Sequence, residues 1–342
     1  MSSVAGEATR DASPFRPETA RELVDSLLTD DLLALDRRSN RGLVSVAGTG
    51  FLAAALVELD PERVGLAERL HASLELLAAA NPAANGGWFS HFTDTAGRPL
   101  VGSEVSTIDT ALLLLGHRLA AQRLGDNGYL ATVERLRREL SLPLVSREGL
   151  VSHGFTWQDS AGQPVDHAAG TPTAIEHLWN DTSEGVLVYW LVGDRLLAEG
   201  LRDDWWQPAI VRDDYPLFVY AYPLALVPAV DHPAALEQAD RWRAMLEDAL
   251  HYQNVAKGVV GLTATDGPDR YEVDSPTLVA PILLASLADW GLPHVREMLH
   301  VLRDRGVDSM TPGYDFVEPS WRPDDAISID IGSAVLLWAA TR

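Results

Sequence analysis

The chain has 342 residues, 46% of them apolar, and no cysteine; 27 Lys plus Arg against 49 Asp plus Glu give a formal net charge of -22. The missing cysteine excludes disulfides, thiolate nucleophiles and cysteine-ligated zinc or iron–sulfur centres. The acidic balance argues against nucleic acid as a ligand, because duplex binding draws on Lys and Arg.

Residues 1–16, MSSVAGEATRDASPFR, are small, polar and Pro-containing. They read as a flexible or draped leader ahead of one domain over 17–342. They lack the basic and apolar regions of a secretory signal. No run in the chain reaches 18 uncharged apolar residues, so no spanning helix is expected. The expected location is the cytoplasm, with no membrane partner.

Helical periodicity then dominates. PETARELVDSLLTDDLLALDRR carries leucines at helical spacing, with Pro17 in its first turn. TGFLAAALVEL is almost wholly apolar, and PERVGLAERLHASLELLAAA is amphipathic. NPAANGGWFSHFTDTAGRPLVGSEV reads as a loop or short hairpin. STIDTALLLLGHRLAAQRLG and YLATVERLRRELSL form the next pair of helices. From Val151 to Thr173 there are histidines, glycines and a tryptophan but no sustained period. Helical patterns return at TSEGVLVYWLVG, YPLFVYAYPLAL, PAALEQADRWRAMLEDALHYQ, SPTLVAPILLASLADW, PHVREMLHVLRDR and DIGSAVLLWAATR.

Helices that are apolar all round belong inside, and helices with one charged face belong outside. Inner helices are expected to start near residues 47, 106, 182, 216, 276 and 330. The expected architecture is all-α, a closed ring of six helix pairs. A superhelical repeat array competes with it but calls for more uniform repeats.

In such a ring the inner helices share a direction, so their amino termini meet at one end. Acidic residues gather there: Glu104, Asp109, Asp181, Glu184, Asp266, Asp274 and Asp330. Capping accounts for any one of them. Ser106–x–x–Asp109 and Asp181–x–x–Glu184 resemble capping boxes, and Ser275 before Pro276 resembles a cap. Capping does not account for the aromatics in the adjoining loops. GGWFSHF holds Trp88, Phe89 and His91, Trp179 stands near Asp181, Tyr271 follows Asp266, and Trp321 precedes Asp330. Packing at the rim is one reading of these rings. A sugar site is the other, since sugar C–H faces stack on aromatics while hydroxyls seek charged acceptors. Glycosidic cleavage commonly uses two carboxyl groups, one protonating the leaving oxygen while the other activates water or attacks.

Other chemistries find less support. There is no G-x-G-x-x-G, H-E-x-x-H or G-x-S-x-G elbow beside Ser106 or Ser183. Asp266–Arg270 reads as a turn, without calcium-loop spacing. His91, His153, His167 and His177 could meet as a zinc site only if the fold brings them together. No metal and no cofactor are expected.

SVAGTGFLAAAL, GGWFSHFTD, SEVSTIDTALLLLG, NDTSEGVLVYWLVG, GLTATDGP, TLVAPILLASL, YDFVEPSW and SIDIGSAVLLW occur in that order. Together they resemble the glucoamylase-like family of bacterial (α/α)6-barrel proteins. That family includes endo-β-1,2-glucanases and domains of cyclic β-1,2-glucan synthases. The resemblance covers roughly residues 30–342 and implies an (α/α)6 barrel with a sugar cleft at one end. It implies pocket positions at Glu104, Asp109, Glu184, Asp266 and Asp330, with Trp88, Phe89 and His91 on the aromatic loop. The implied activity is that of a glycoside hydrolase on a β-linked glucan or oligosaccharide, by inversion and without a metal. Glu184 is the first choice for the acid, and Asp109 or Glu104 for its partner. Asp266 and Asp330 would bind hydroxyls; Trp88, Trp179, Tyr271 and Trp321 would stack. The alternatives are a lyase, epimerase or cyclase on a sugar-like metabolite, and a carbohydrate-binding protein without turnover.

Overall fold

The computed structural model describes residues 13–179, 184–196, 218–230, 239–240, 242–251, 265–266, 271–272, 278–321 and 325–342. In chain order the named helices are α1 (Pro17–Ser26), α2 (Val46–Leu59), α3 (Leu66–Ala80), α4 (Thr107–Leu124), α5 (Asn127–Glu139), α6 (Gly185–Leu196), α7 (Phe218–Leu226), α8 (Pro281–Ser286), α9 (Pro293–Asp304) and α10 (Ser328–Ala339). Residues 242–251 are helical as well.

Two populations separate by burial. Helix α2 buries every residue from Val46 to Val57, and α7 buries all nine of its residues. Helix α9 buries only the stripe Val295, Met298, Leu299 and Leu302. An all-apolar helix cannot face water on any side, so α2, α4, α6, α7, α8 and α10 are the inner layer. Helix α2 packs against α4, α4 against α6, and α10 against both α8 and α2. The last inner helix therefore meets the first. The α2–α4 crossing is close because both helices place glycine there. A Cβ on Gly116 would stand 2.0 Å from the Gly50 carbonyl oxygen, and one on Gly50 would stand 2.2 Å from that of Leu112.

Short strand pairs lead the chain into the inner helices. Strand β1 (Val44–Ser45) enters α2 and pairs antiparallel with β2 (Phe92–Thr93). Strand β3 (Val105–Ser106) enters α4. After the hairpin β4 (Ser146–Arg147) and β5 (Leu150–Val151), β6 (Gly154–Gln158) pairs with both β3 and β7 (Thr171–Ala174). Strands β8 (Thr265–Asp266) and β9 (Tyr271–Glu272) form another hairpin. Strand β10 (Leu278–Val279) pairs with β11 (Tyr314–Asp315) just before α8.

Two sequence expectations need correction. The leucine-rich run 17–38 is not one helix. It ends at Ser26, and a turn follows in which the Thr29 hydroxyl accepts the Leu33 N–H at 3.0 Å and Leu32 takes a left-handed φ of 60°. Leu27, Leu33 and Leu35 are buried in that turn, so their spacing serves core packing without a helix. The fifth inner helix starts at Pro281, not near 276. Pro281 fits the first helical turn, and 278–279 are drawn into strand by β11. Ser275 and Pro276 lie outside the described residues.

Candidate active site

The inner helices end together, as a ring of hairpins requires. Ser45 caps α2, accepting the Gly48 N–H at 3.0 Å, and Ser106 caps α4, accepting the Asp109 N–H at 3.2 Å. Such a cap is worth about 1 kcal/mol. The same local design recurs four residues into each helical start. Thr49 bonds back to the Ser45 carbonyl and accepts the Ala34 N–H; Thr110 bonds back to that of Ser106 and accepts the Phe89 N–H. These threonines fasten the rim segments 34–38 and 88–93 over the helix ends.

At the amino-terminal ends lies a cavity of about 350 Å³. Helices α2, α4, α7 and α10 supply Ala47, Ile108, Asp109, Leu112, Phe218, Tyr222 and Ile329 to its wall, and Glu184 stands just before α6. Asp36, Arg37, His91 and Phe92 close it from the rim. The Tyr222 ring is 4.9 Å from that of Phe51, which ties α7 to α2 beneath the cavity.

With Ser106 as the cap, the Asp109 side chain is available to face His91. Its Oδ1 stands 2.8 Å from His91 Nδ1, off the line of a straight hydrogen bond. The ligating atoms of His91, Glu104 and Asp109 lie within 4.8 Å of one another. Burial of His91 disfavours its cation, but Asp109, Glu104 and Asp36 together outweigh that effect, Asp109 most, and the imidazole is raised to about 9. His91 is therefore an imidazolium at neutral pH, a positive charge among carboxylates. Burial pushes the Glu104 carboxyl up; nearby Asp109 adds to the rise and His91 opposes it. Such a carboxyl takes up a proton more readily than an exposed one.

The expected site residues divide into three sets. Glu104, Asp109, Glu184 and His91 come together at or beside the cavity. Trp88, Phe89 and Trp179 are 0%, 2% and 5% exposed and present no open stacking face. The Trp88 indole N–H donates to the Ser141 carbonyl, and that of Trp179 to the Thr107 hydroxyl. Trp179 also lies against Gly185, 2.7 Å from where a Cβ would stand, and so sets the start of α6 beside Glu184. Asp330, 1% exposed, lies in the first turn of α10, where its neighbour Ile329 lines the cavity instead. Trp321 is half-buried and outside the cavity wall. Asp266 and Tyr271 pair across the β8–β9 hairpin, and their side chains, like Asp181 and Asp274, lie outside the described residues.

The loop histidines do not form one cluster among the described residues. His153 stacks on Trp179 at 3.7 Å with His177 5.8 Å away, while His167 sits 3.1 Å from Asp166. The donor set that does converge, His91 with two carboxylates, could hold a divalent cation only where His91 gives up its proton. Sequence reasoning missed Asp36, which lines the cavity and pairs with Arg37 at 3.0 Å. Reading 17–38 as one helix hid it.

No family model and no curated protein matches this chain. Solved structures do. A candidate glucoamylase from Bacteroides uniformis matches at 16% identity with a TM-score of 0.67, over 96% of this chain and 94% of its own. The endo-β-1,2-glucanase from Chitinophaga pinensis, in complex with sophorotriose and glucose, matches at 16% and 0.64, over 95% and 92%. That from Talaromyces funiculosus, in a complex with β-1,2-glucan, matches at 11% and 0.61, over 94% and 83%. With the ring of inner helices these likenesses define the fold as the (α/α)6 toroid.

Proposed function

We propose that the protein is a glycoside hydrolase acting on a β-linked glucan or oligosaccharide. The observation that carries this reading is the gathering of Asp109 and Glu184 on one cavity, with Glu104 beside Asp109. Paired carboxyl groups at a sugar-sized hollow are what glycosidic hydrolysis requires. In the proposed reaction Glu184 gives its proton to the departing oxygen. Asp109 or Glu104 takes a proton from the attacking water, and His91 balances the charge beside them. The finer reading is a β-1,2 linkage cleaved with inversion. The linkage is supported by the fold shared with endo-β-1,2-glucanases.

The test is a screen of β-1,2-, β-1,3- and β-1,4-linked oligosaccharides, following product mass and anomeric configuration. Wild type is compared with Glu184→Gln, Asp109→Asn and Glu104→Gln. Loss of a positioned acid or base costs about 10²–10⁴-fold in kcat, and that loss is expected for Glu184→Gln and for at least one of the other two. Equal turnover in all four proteins overturns the assignment.

A further inference from the structure

A second hollow, of about 230 Å³, lies beside the first. Both share one wall. Ser90 faces the second hollow, whereas His91 and Phe92 face the first. Ser103 lines the second hollow and is the residue before Glu104. Ser90 and His91 point to opposite faces, as successive residues of extended backbone do, while Phe92 stays with His91 on the first hollow. The segment is held by Ser90 bridging Val105 and by β2 pairing with β1.

Opposite that wall stands Trp157, half-buried near the end of β6. Its indole N–H donates to the Asn85 Oδ1 at 2.9 Å, and Asn85 is itself 1% exposed. The His167 ring meets it edge-on, 6.3 Å between centroids. The ring is thus fixed before any ligand arrives, which lowers the ordering cost of binding. Around it stand Arg98, Asp166 and His167, along with the two serine hydroxyls. A flat apolar ring bordered by charged donors and acceptors fits a polyhydroxylated ring, apolar on its C–H face and polar at its edge. Unlike Trp88 and Trp179, Trp157 lines an open hollow.

We infer that this hollow is a second carbohydrate subsite, in which one sugar ring of a longer saccharide lies on Trp157 while its hydroxyls meet Arg98, Asp166 and His167. The saccharide crosses the 90–92 wall from the cavity that holds the cleaved bond. The inference rests on the glycoside hydrolase reading and adds a preference for chain length to it.

The test compares short and long β-1,2-linked gluco-oligosaccharides on wild type, Trp157→Ala, Trp157→Phe and Asp166→Asn, with Glu184→Gln as the inactive control. Truncating the ring removes the apolar face on which the sugar lies. Trp157→Ala is therefore expected to raise KM for long saccharides roughly tenfold, and much less for disaccharides. The change should fall on KM, and Trp157→Phe should recover part of it. Asp166→Asn, a change at an exposed side chain that leaves the core intact, should shift KM in the same direction. An equal effect at every length, or no effect at any length, overturns the subsite even if Glu184→Gln abolishes turnover. If wild type neither binds nor cleaves these saccharides or their β-1,3- and β-1,4-linked counterparts, both readings fall.

Discussion

At the scale of the residue, two histidines titrate in opposite senses. His91 is raised from 6.5 to about 9 by the carboxylates around it. A folded state that holds its proton more tightly gains stability below the unfolded value of 6.5, and that gain is lost as pH climbs to 9. His117, fully buried on α4, is lowered to about 3 by burial, with a further contribution from His71. There the unfolded chain takes up the proton first, so stability falls as pH drops from about 6.5 towards 3. His117 Nδ1 is bonded to the Tyr129 hydroxyl, which ties α4 to α5. The expected outcome is a two-sided pH dependence of the unfolding temperature. His91→Gln should flatten the alkaline limb between pH 6.5 and 9, and His117→Gln the acid limb below 6.5. Thermal melts of the three proteins across pH 4–10 check both. An alkaline limb unchanged in His91→Gln would show that the His91–Asp109 pair is not the group responsible.

At the scale of the element, the site depends on backbone fastening that no single helix provides. Removing the Thr110 hydroxyl leaves the Phe89 N–H without its partner in a buried position. An unsatisfied buried amide costs about 1–3 kcal/mol, so Thr110→Val should destabilise by that amount. Thr49→Val should do the same through Ala34. Gly116→Ala is a harsher change, because its Cβ would stand 2.0 Å from a backbone oxygen of α2 and no rotamer can relieve it. We expect about 1–3 kcal/mol or more from overpacking, read as a lower urea midpoint. If Gly116→Ala unfolds at the wild-type midpoint, the α2–α4 crossing has room for a methyl group and the glycines are not what sets its closeness. Inner helices were legible because an all-apolar run declares itself: the expected starts at 106, 216 and 330 compare with observed starts at 107, 218 and 328. Two-residue strands were not legible. Val44–Ser45 and Val105–Ser106 have no period to detect, and they become strands only because distant partners pair with them. Which acids converge was legible as a class and not individually. Asp109 and Asp330 occupy the same turn of their helices, yet Asp109 lines the cavity whereas on α10 Ile329 does so and Asp330 is buried away from it. The local sequences, Ser106–Thr107–Ile108–Asp109 and Ile327–Ser328–Ile329–Asp330, are nearly alike and do not encode that difference.

At the scale of the molecule, the formal charge of -22 is spread over a toroid that also gathers Glu104, Asp109 and Glu184 at or beside one cavity. Like charges repel across the folded surface and are relieved when the chain expands, so net charge of this size weakens the compact state. Salt screens that repulsion, with a Debye length of about 10 Å at 0.1 M and about 3 Å at 1 M. Screening also weakens ion pairs, but many of the pairs here are partly exposed, such as Arg16–Asp308 and Arg135–Glu139. Exposed pairs of that sort contribute at most about 1 kcal/mol each. With acids outnumbering bases 49 to 27, self-repulsion outweighs them. The unfolding temperature should therefore rise between 0.05 and 0.5 M sodium chloride at pH 7.5. A neutral salt is needed, because sulfate would also strengthen apolar burial. The Asp109 side chain is 5% exposed but that of His91 is 38% exposed, so salt screens this pair less than the surface pairs and the alkaline limb assigned to it should persist in part at the higher salt. Melts at the two salt concentrations, repeated at pH 7.5 and 9, separate these effects. An unfolding temperature that falls with salt would mean that surface ion pairs outweigh the net charge.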